Sequence, residues 1–143
     1  MRILKLTHCL LIAAVLGLAG CADPVGQPLT PVVGKVTLDG KALTTGNVSF
    51  RPDTISGNNN AAEPYGEIGP DGTYKMFTSN RPGAPVGKYV VLVTASEAID
   101  PSNPSATPKS LVNARYSDVG LRNILIEVTE SPRDGQYDLK LKN

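Results

Sequence analysis

The sequence has no tryptophan, one histidine and two cysteines among 143 residues. The histidine, His8, and one of the cysteines, Cys9, lie in the first twenty residues, so a chain without that segment contains no imidazole. This absence excludes histidine general bases, Ser-His and Cys-His dyads, and zinc sites that need imidazole ligands. Gly-x-Ser-x-Gly, HExxH and CxxC spacings and a phosphate-cradling glycine loop are also missing, which excludes several further enzyme classes.

A strong charge of one sign is lacking as well. Removal of residues 1–20 takes away two of the 14 basic residues and none of the 13 acidic ones, so the remaining 123 residues carry a net charge of −1. A basic nucleic-acid footprint is therefore excluded. The composition, 41% hydrophobic and 19% charged, is that of an ordinary globular chain of one domain.

The first twenty residues have the pattern of a secretory signal peptide. Arg2 and Lys5 precede an apolar run over 9–18, and small residues follow it. The run is shorter than the ~20 residues of a membrane-spanning helix, and its charged flank lies only on the N-terminal side. We therefore predict a signal peptide over 1–20 that is cleaved.

The end of this segment, Leu18-Ala19-Gly20-Cys21, resembles the bacterial lipobox. The resemblance implies that Cys21 is diacylated, that cleavage occurs before it, and that two or more chains give stable membrane anchoring. The alternative is a free thiol beside an ordinary signal-peptidase site. With Cys9 removed and Cys21 alkylated, no disulfide is expected.

Residues 21–30 are predicted to be a lipidated N-terminus and an extended tether, because 22–30 contain two prolines, a glycine and no hydrophobic period. Residues 31–143 form the predicted domain. Two loops interrupt it, over 53–61 with three consecutive asparagines and over 96–113 with three prolines, and each is either functional or flexible.

Short segments of alternating apolar and polar residues run through the domain, most of them separated by turn signals. This pattern predicts an all-β fold, a seven-stranded antiparallel β-sandwich. The segment at 63–68 is polar and contains Pro64, which indicates an edge strand. The segment at 87–95 is apolar on both sides and indicates a central strand. The remaining predicted strands lie near 32–38, 48–52, 73–78, 124–129 and 137–142.

Five segments of the domain carry a family resemblance. Residues 33–43 read VGKVTLDGKAL and residues 48–52 read VSFRP; further on, 69–74 read GPDGTY, 83–89 read GAPVGKY and 114–118 read ARYSD. In this order they resemble small planctomycete-type lipoproteins with a transthyretin-like, or carboxypeptidase-regulatory-like, domain.

That resemblance implies a transthyretin-like or Ig-like sandwich in an extracytoplasmic accessory protein without a defined catalytic activity. Val112, where the family often has proline, and the enlarged 96–113 loop depart from the pattern. The hydroxyisourate hydrolases of the broader group use histidines and a C-terminal Tyr-Arg-Gly-Ser. This chain ends Leu-Lys-Leu-Lys-Asn, so their activity is not carried over.

The carboxylates offer little chemistry. Asp39, Asp71 and Asp134 are each followed by glycine; a calcium site would need several converging oxygen ligands, and turn residues are the preferred interpretation. Glu63 and Glu67, four residues apart in an extended segment, would lie ~13 Å apart, beyond the ~5–9.5 Å that glycoside cleavage requires. We predict no catalytic residue, no metal site and no cofactor.

Few aromatic side chains are available for a ligand. Tyr74, Tyr89 and Tyr137 alternate with polar residues or lie in apolar runs and are predicted to be core. Tyr116 is predicted to hydrogen-bond to the backbone, as corner tyrosines do. Tyr65, with Phe77 as a second, is thus the candidate ligand contact.

The sequence favours a lipoprotein anchored through Cys21 on the periplasmic face or in the outer membrane of a bacterial envelope. There it would act as a non-catalytic structural or interaction module, with an envelope protein or a glycan as its partner. The alternative is a carbohydrate-binding accessory module. No nucleic-acid partner is expected.

Overall fold

The computed structural model describes residues 26–143. The predicted signal peptide, Cys21 and the first part of the tether lie outside the described residues. Ten strands form two sheets in the described chain. Their bounds are β1 Val33–Leu38, β2 Lys41–Ala42, β3 Asn47–Pro52, β4 Tyr65–Glu67, β5 Thr73–Lys75, β6 Phe77–Thr78, β7 Arg81–Pro82, β8 Gly87–Thr94, β9 Leu125–Val128 and β10 Leu139–Leu141.

The smaller sheet is built around β1. On one side β1 pairs with β10 in parallel, and on the other it pairs antiparallel with β5 and then with β2. Val36 marks the change of partner, since its N–H donates to Gly72 O and its carbonyl accepts from Leu43 N.

The larger sheet has the order β7-β6-β4-β3-β8-β9, and each of its pairs is antiparallel. β8 lies between β3 and β9, which confirms the predicted central strand. Its residues Tyr89, Val90, Val91 and Val93 are all buried, as expected for a strand covered on both faces.

The all-β sandwich is confirmed, and all seven predicted segments contain strand residues. The strand count differs from the predicted seven: the described chain has ten, because the segment at 73–78 is divided into β5 and β6 and because β2 and β7 are short strands of tight turns. Two details of the arrangement were also wrong. The pairing of β1 with β10 is parallel, because the chain crosses from the larger sheet to the smaller one before β10 and a crossover allows either direction. β4 lies between β3 and β6 and is not an edge strand. The polar residues of the predicted segment at 63–68, such as Glu67 on β4, mark a solvent-facing surface of the sheet and not its lateral edge.

The predicted strand over 73–78 is divided between the two sheets. β5 pairs with β1 in the smaller sheet, Met76 lies between the strands, and β6 pairs with β4 in the larger sheet. Tyr74 and Met76 are buried, as the alternation predicts. This crossing brings Phe77 next to β4.

Two of the aspartate-glycine pairs show the expected turn geometry in detail. Asp39 and Gly40 both have positive φ, 50° and 82°, between the antiparallel strands β1 and β2, which is the conformation of a type I′ hairpin. The Asp71 carboxylate accepts the Thr73 N–H and hydroxyl, each at 2.9 Å. Asp134-Gly135 also lies in a turn.

Tyrosine hydroxyls tie the core to the backbone. Tyr74 donates to Tyr137 O at 2.6 Å, and Tyr89 donates to Pro85 O, four residues earlier, at 2.8 Å. The Tyr116 hydroxyl donates to Lys142 O and accepts from Lys142 N, so the predicted backbone contact is present, but its partner lies 26 residues later in the chain and not a few residues earlier, as it would for a corner tyrosine. Every buried side-chain polar atom of the described residues has a hydrogen-bond partner.

The described residues contain 3-10 helices at Thr54–Ser56, Ala114–Tyr116 and Val119–Leu121. None of the helices between residues 26 and 143 has the length and hydropathy needed to cross a membrane. The described part of the predicted tether contacts the domain: Thr30 pairs with Ala84, and Gln27 accepts hydrogen bonds from Asn60 and Arg81.

Candidate functional site

A row of directly opposed residues crosses the outer face of the larger sheet. Tyr65 on β4 faces Phe77 on β6, and Phe77 faces Pro82 on β7. In the other direction Tyr65 faces Ser49 on β3, which faces Leu92 on β8. Directly opposed residues have Cβ atoms ~5 Å apart. We call Tyr65, Phe77 and Pro82 the aromatic row.

The two aromatic members of this row are open to solvent. Tyr65 is 46% exposed and Phe77 44%. The other aromatic residues of the described chain, which are Phe50, Tyr74, Tyr89, Tyr116 and Tyr137, are buried. The exposure predicted for Tyr65 and Phe77 is thus confirmed; their role as ligand contacts stays a prediction. The structure places the two residues side by side.

A groove of about 780 Å³, the main groove, lies against Tyr65 and Phe77. Its volume is within the usual range of ligand sites. Polar side chains flank the two rings along it: Glu67 from β4, Asp71 and Thr73 from the turn after β4 and the start of β5, Lys75 from β5, and Asn80 from the turn after β6.

A second groove of about 360 Å³, the side groove, adjoins the first at Glu67 and Ile68. Its polar lining includes Thr45, Asn47, Thr94 and Ser96. The Tyr65 hydroxyl donates to Asn47 Oδ1 at 2.5 Å. This bond holds the exposed ring in one orientation at the junction of the two grooves.

The carboxylates near the grooves are poorly arranged for acid catalysis. Hydrogen bonds from the Thr73 N–H and hydroxyl lower the pKa of Asp71, whereas a general acid needs a raised pKa. Glu63 is ion-paired with Arg51 and does not line either groove. Glu63 and Glu67 therefore do not form an acid/base pair in the groove.

The aspartates of the three turns do not meet. In the described part of the chain, no group of three or more Asp, Glu, His and Cys residues is placed to hold a metal ion. Asp71 is committed to its own turn through Thr73.

The loop at 53–61 is held at several points. Asn58 Nδ2 donates to Lys88 O at 2.8 Å, and Asn60 Oδ1 accepts from Ala62 N at 3.0 Å. Asp53 is buried and paired with Arg122. These contacts hold the loop against the domain, so two of its asparagines have a structural role.

The loop at 96–113 is closed at its base and exposed beyond it. Ser96 bridges to Ser110, and Glu97 N donates to Lys109 O. Residues 96–110 are exposed, and Ser96 lines the end of the side groove. The main groove lies on strands and on the turn at 69–73, and neither long loop lines it. Strand pairing places Phe77 beside Tyr65 and Pro82 beside Phe77. The period-two alternation of a sequence does not predict which strands become neighbours.

Comparisons of this chain with models of protein families, with curated proteins and with solved structures find no match.

Proposed function

We propose that this protein is a lipid-anchored, non-catalytic interaction module of a bacterial cell envelope, and that its ligand binds along the aromatic row. The observation that carries the binding role is the exposed pair Tyr65 and Phe77, which line one groove from neighbouring strands. Exposed aromatic side chains with flanking polar groups are typical of binding surfaces.

The anchor is supported by the sequence. The lipobox resemblance at Leu18 to Cys21 follows an apolar run of signal-peptide length. The likeness of five segments to envelope lipoproteins with a transthyretin-like domain supports the same location, on the periplasmic face or in the outer membrane.

The non-catalytic character is supported by the chemistry of the groove. Asp71 is held ionised by Thr73, and Glu63 is paired with Arg51 outside the groove. A chain without residues 1–20 has no histidine to act as a general base at neutral pH. Glu67 is left as a carboxylate that can accept hydrogen bonds from a ligand.

A carbohydrate-binding accessory module remains the second candidate. One observation favours it: the two exposed rings belong to direct cross-strand neighbours, so they form an apolar strip with polar side chains beside it. A strip of this kind suits sugar rings, whose faces present C–H groups and whose edges present hydroxyls.

Cell fractionation of Cys21→Ser tests the anchor. We expect this variant to leave the membrane pellet and appear in a soluble fraction, since the thiol is the acceptor of the lipid. Cys9→Ser is the matched control, because Cys9 is the other cysteine of the chain and lies within the predicted signal. The Cys9→Ser protein should stay in the pellet. A Cys21→Ser protein that has lost residues 1–20, as its intact mass would show, and still remains in the pellet would reject the anchor.

Native gels of detergent-solubilised envelopes test the interaction. We expect the wild-type protein to migrate in a complex and the Tyr65→Ala/Phe77→Ala double variant to lose it. Leu125→Ala removes a 54% exposed side chain from β9, which does not line the main groove, and should leave the complex intact. Identical migration of all three proteins would reject the aromatic row as the interaction site.

A further inference from the structure

We propose that the occupant of the aromatic row is an uncharged polysaccharide chain that crosses the strands of the larger sheet, with sugar rings on Phe77 and Tyr65 and hydroxyls bound at Glu67. This inference rests on the proposed function, because it assigns a ligand class to the same face.

The aromatic row supplies a stacking platform. Phe77 and Tyr65 are directly opposed across β6 and β4, with Cβ atoms ~5 Å apart, and both side chains are exposed. Pro82 extends the strip by one strand. A chain laid along the row therefore runs perpendicular to the strands and passes over both aromatic side chains.

The polar groups beside the rings favour a glycan over a protein. The core of a protein interface is depleted in charged residues, which gather at its rim. Here Glu67, Asp71 and Lys75 lie in the same groove as the two rings. Hydroxyl groups of a sugar can bond these side chains directly while its C–H faces cover the rings.

The charge of the groove selects among glycans. Glu67 and Asp71 are acidic and Lys75 is basic, so the main groove carries a net negative charge. The side groove adds hydroxyl and amide groups from Thr45, Asn47 and Thr94 but no basic side chain. A polyuronate or a phosphate polymer would be repelled, whereas an uncharged chain meets hydrogen-bond acceptors.

The two adjoining grooves indicate a chain of several sugars. The main and side grooves join at Glu67, and Tyr65 bonds Asn47 across the junction. The ring is thus oriented before the ligand arrives, which lowers the entropic cost of binding. An oligosaccharide that reaches both grooves should bind more tightly than a monosaccharide, which reaches one.

Affinity electrophoresis tests the ligand class. The lipidated protein that begins at Cys21, kept in a polyoxyethylene detergent that carries no sugar headgroup, is run in native gels that contain a soluble polysaccharide. The neutral set is β-glucan, galactomannan, xylan and uncharged polysaccharide extracted from the protein's own envelope; the anionic set is alginate and polygalacturonate. We expect retardation by at least one neutral polymer and by neither anionic one.

Variants assign the retardation to the proposed site. Tyr65→Ala and Phe77→Ala should each weaken binding about tenfold, because each removes one stacking surface. Glu67→Gln keeps the shape of the side chain and should weaken a neutral ligand, whereas it would strengthen an anionic one. Leu125→Ala, exposed on β9, is the control and should bind as the wild type does.

The outcomes separate this inference from the proposed function. Neutral-polymer retardation that is lost in Tyr65→Ala and kept in Leu125→Ala supports it. Retardation by anionic polymers alone, retardation unchanged in Tyr65→Ala, or no retardation by any polymer overturns it. If no polymer retards the protein but the envelope complex still depends on Tyr65 and Phe77, the partner is a protein and the proposed interaction role stands. If that complex is also absent, both the polysaccharide inference and the proposed function fail.

Discussion

The Asp53 carboxylate accepts two N–H groups of the Arg122 guanidinium, at 2.5 and 2.8 Å, across 69 positions of sequence. Asp53 follows β3 directly, and Arg122 lies just before β9, so the pair ties the loop at 53–61 to the segment that leads into the outermost strand. The Asp53 side chain is 3% exposed and that of Arg122 25%. Two parallel bonds of this kind give the pair a defined geometry.

Loss of this ion pair should change the response of the protein to acid. The Ser56 hydroxyl and the Arg122 guanidinium lower the pKa of Asp53 in the folded state. A carboxyl with a lowered folded pKa adds stability that is fully present above its unfolded value, about 3.9, and that is lost as the pH falls through the folded pKa. Asp53→Asn should therefore lower the urea midpoint at neutral pH and flatten its decline below about pH 4.

Glu63→Gln is the control for that measurement. Glu63 also pairs with an arginine, Arg51, but both side chains are about half exposed, and surface pairs of this type contribute little. If the urea midpoint of Asp53→Asn declined below about pH 4 as steeply as that of the wild type, the buried pair would not contribute to acid stability.

Gly34→Ala should destabilise the domain through crowding between β1 and its neighbours. A Cβ at Gly34 would lie 2.2 Å from Tyr137 O and 2.8 Å from Tyr74 Cε1. Forced displacement of a packed backbone costs ~1–3 kcal/mol, which urea denaturation will measure. Gly26→Ala, where the new Cβ meets nothing within 4 Å, should leave the midpoint unchanged. Equal midpoints for both variants would contradict the close approach.

Tyr74→Phe should cost about 1–3 kcal/mol of unfolding free energy, because it leaves the Tyr137 carbonyl without its 2.6 Å donor in the core. Burial raises the pKa of Tyr74, which keeps the phenol protonated as a donor. Thermal or urea unfolding measures the loss. Tyr65→Phe removes an exposed hydroxyl and should shift stability by less than about 0.5 kcal/mol. Similar losses for both variants would argue against the buried hydrogen bond.

Tyr116→Phe should loosen the C-terminal end of β10 without unfolding the domain. The hydroxyl accepts the Lys142 N–H at 2.9 Å and donates to Lys142 O at 3.0 Å. Its removal leaves the amide without a protein acceptor, so hydrogen exchange at Lys142 should speed up, while exchange in β8 should not change. Unchanged exchange at Lys142 would show that the tyrosine does not hold this end.

Several features of the fold and the site follow from short-range patterns. Alternation over β3 predicts that Val48 and Phe50 are inward, and they are fully buried. The Asp39-Gly40 pair predicts a turn that tolerates positive φ, and both residues adopt it. The exposure of Tyr65 and Phe77 is predictable for the same reason: a period of two decides which face a side chain takes.

Lateral neighbours were not predictable in this way. β4 has the polar alternation expected of an edge strand but lies between β3 and β6. The polar side chain of Glu67 is in contact with water above the face of the sheet. A strand in the interior of a sheet can have such a solvent-facing side, so polarity does not identify an edge strand. The pairing of β10 with β1 in parallel likewise depends on a crossover between sheets.

By itself the sequence determined the all-β class, the turns and the two exposed aromatics, because each depends on residues within a few positions of one another. Only the tertiary structure decided that Phe77 lies beside Tyr65 and Pro82 beside Phe77, that Glu67 joins two grooves and that Arg122 meets Asp53. The physical reason is that side-chain alternation sets the face of a strand, whereas its neighbours are set by packing between segments distant in the chain.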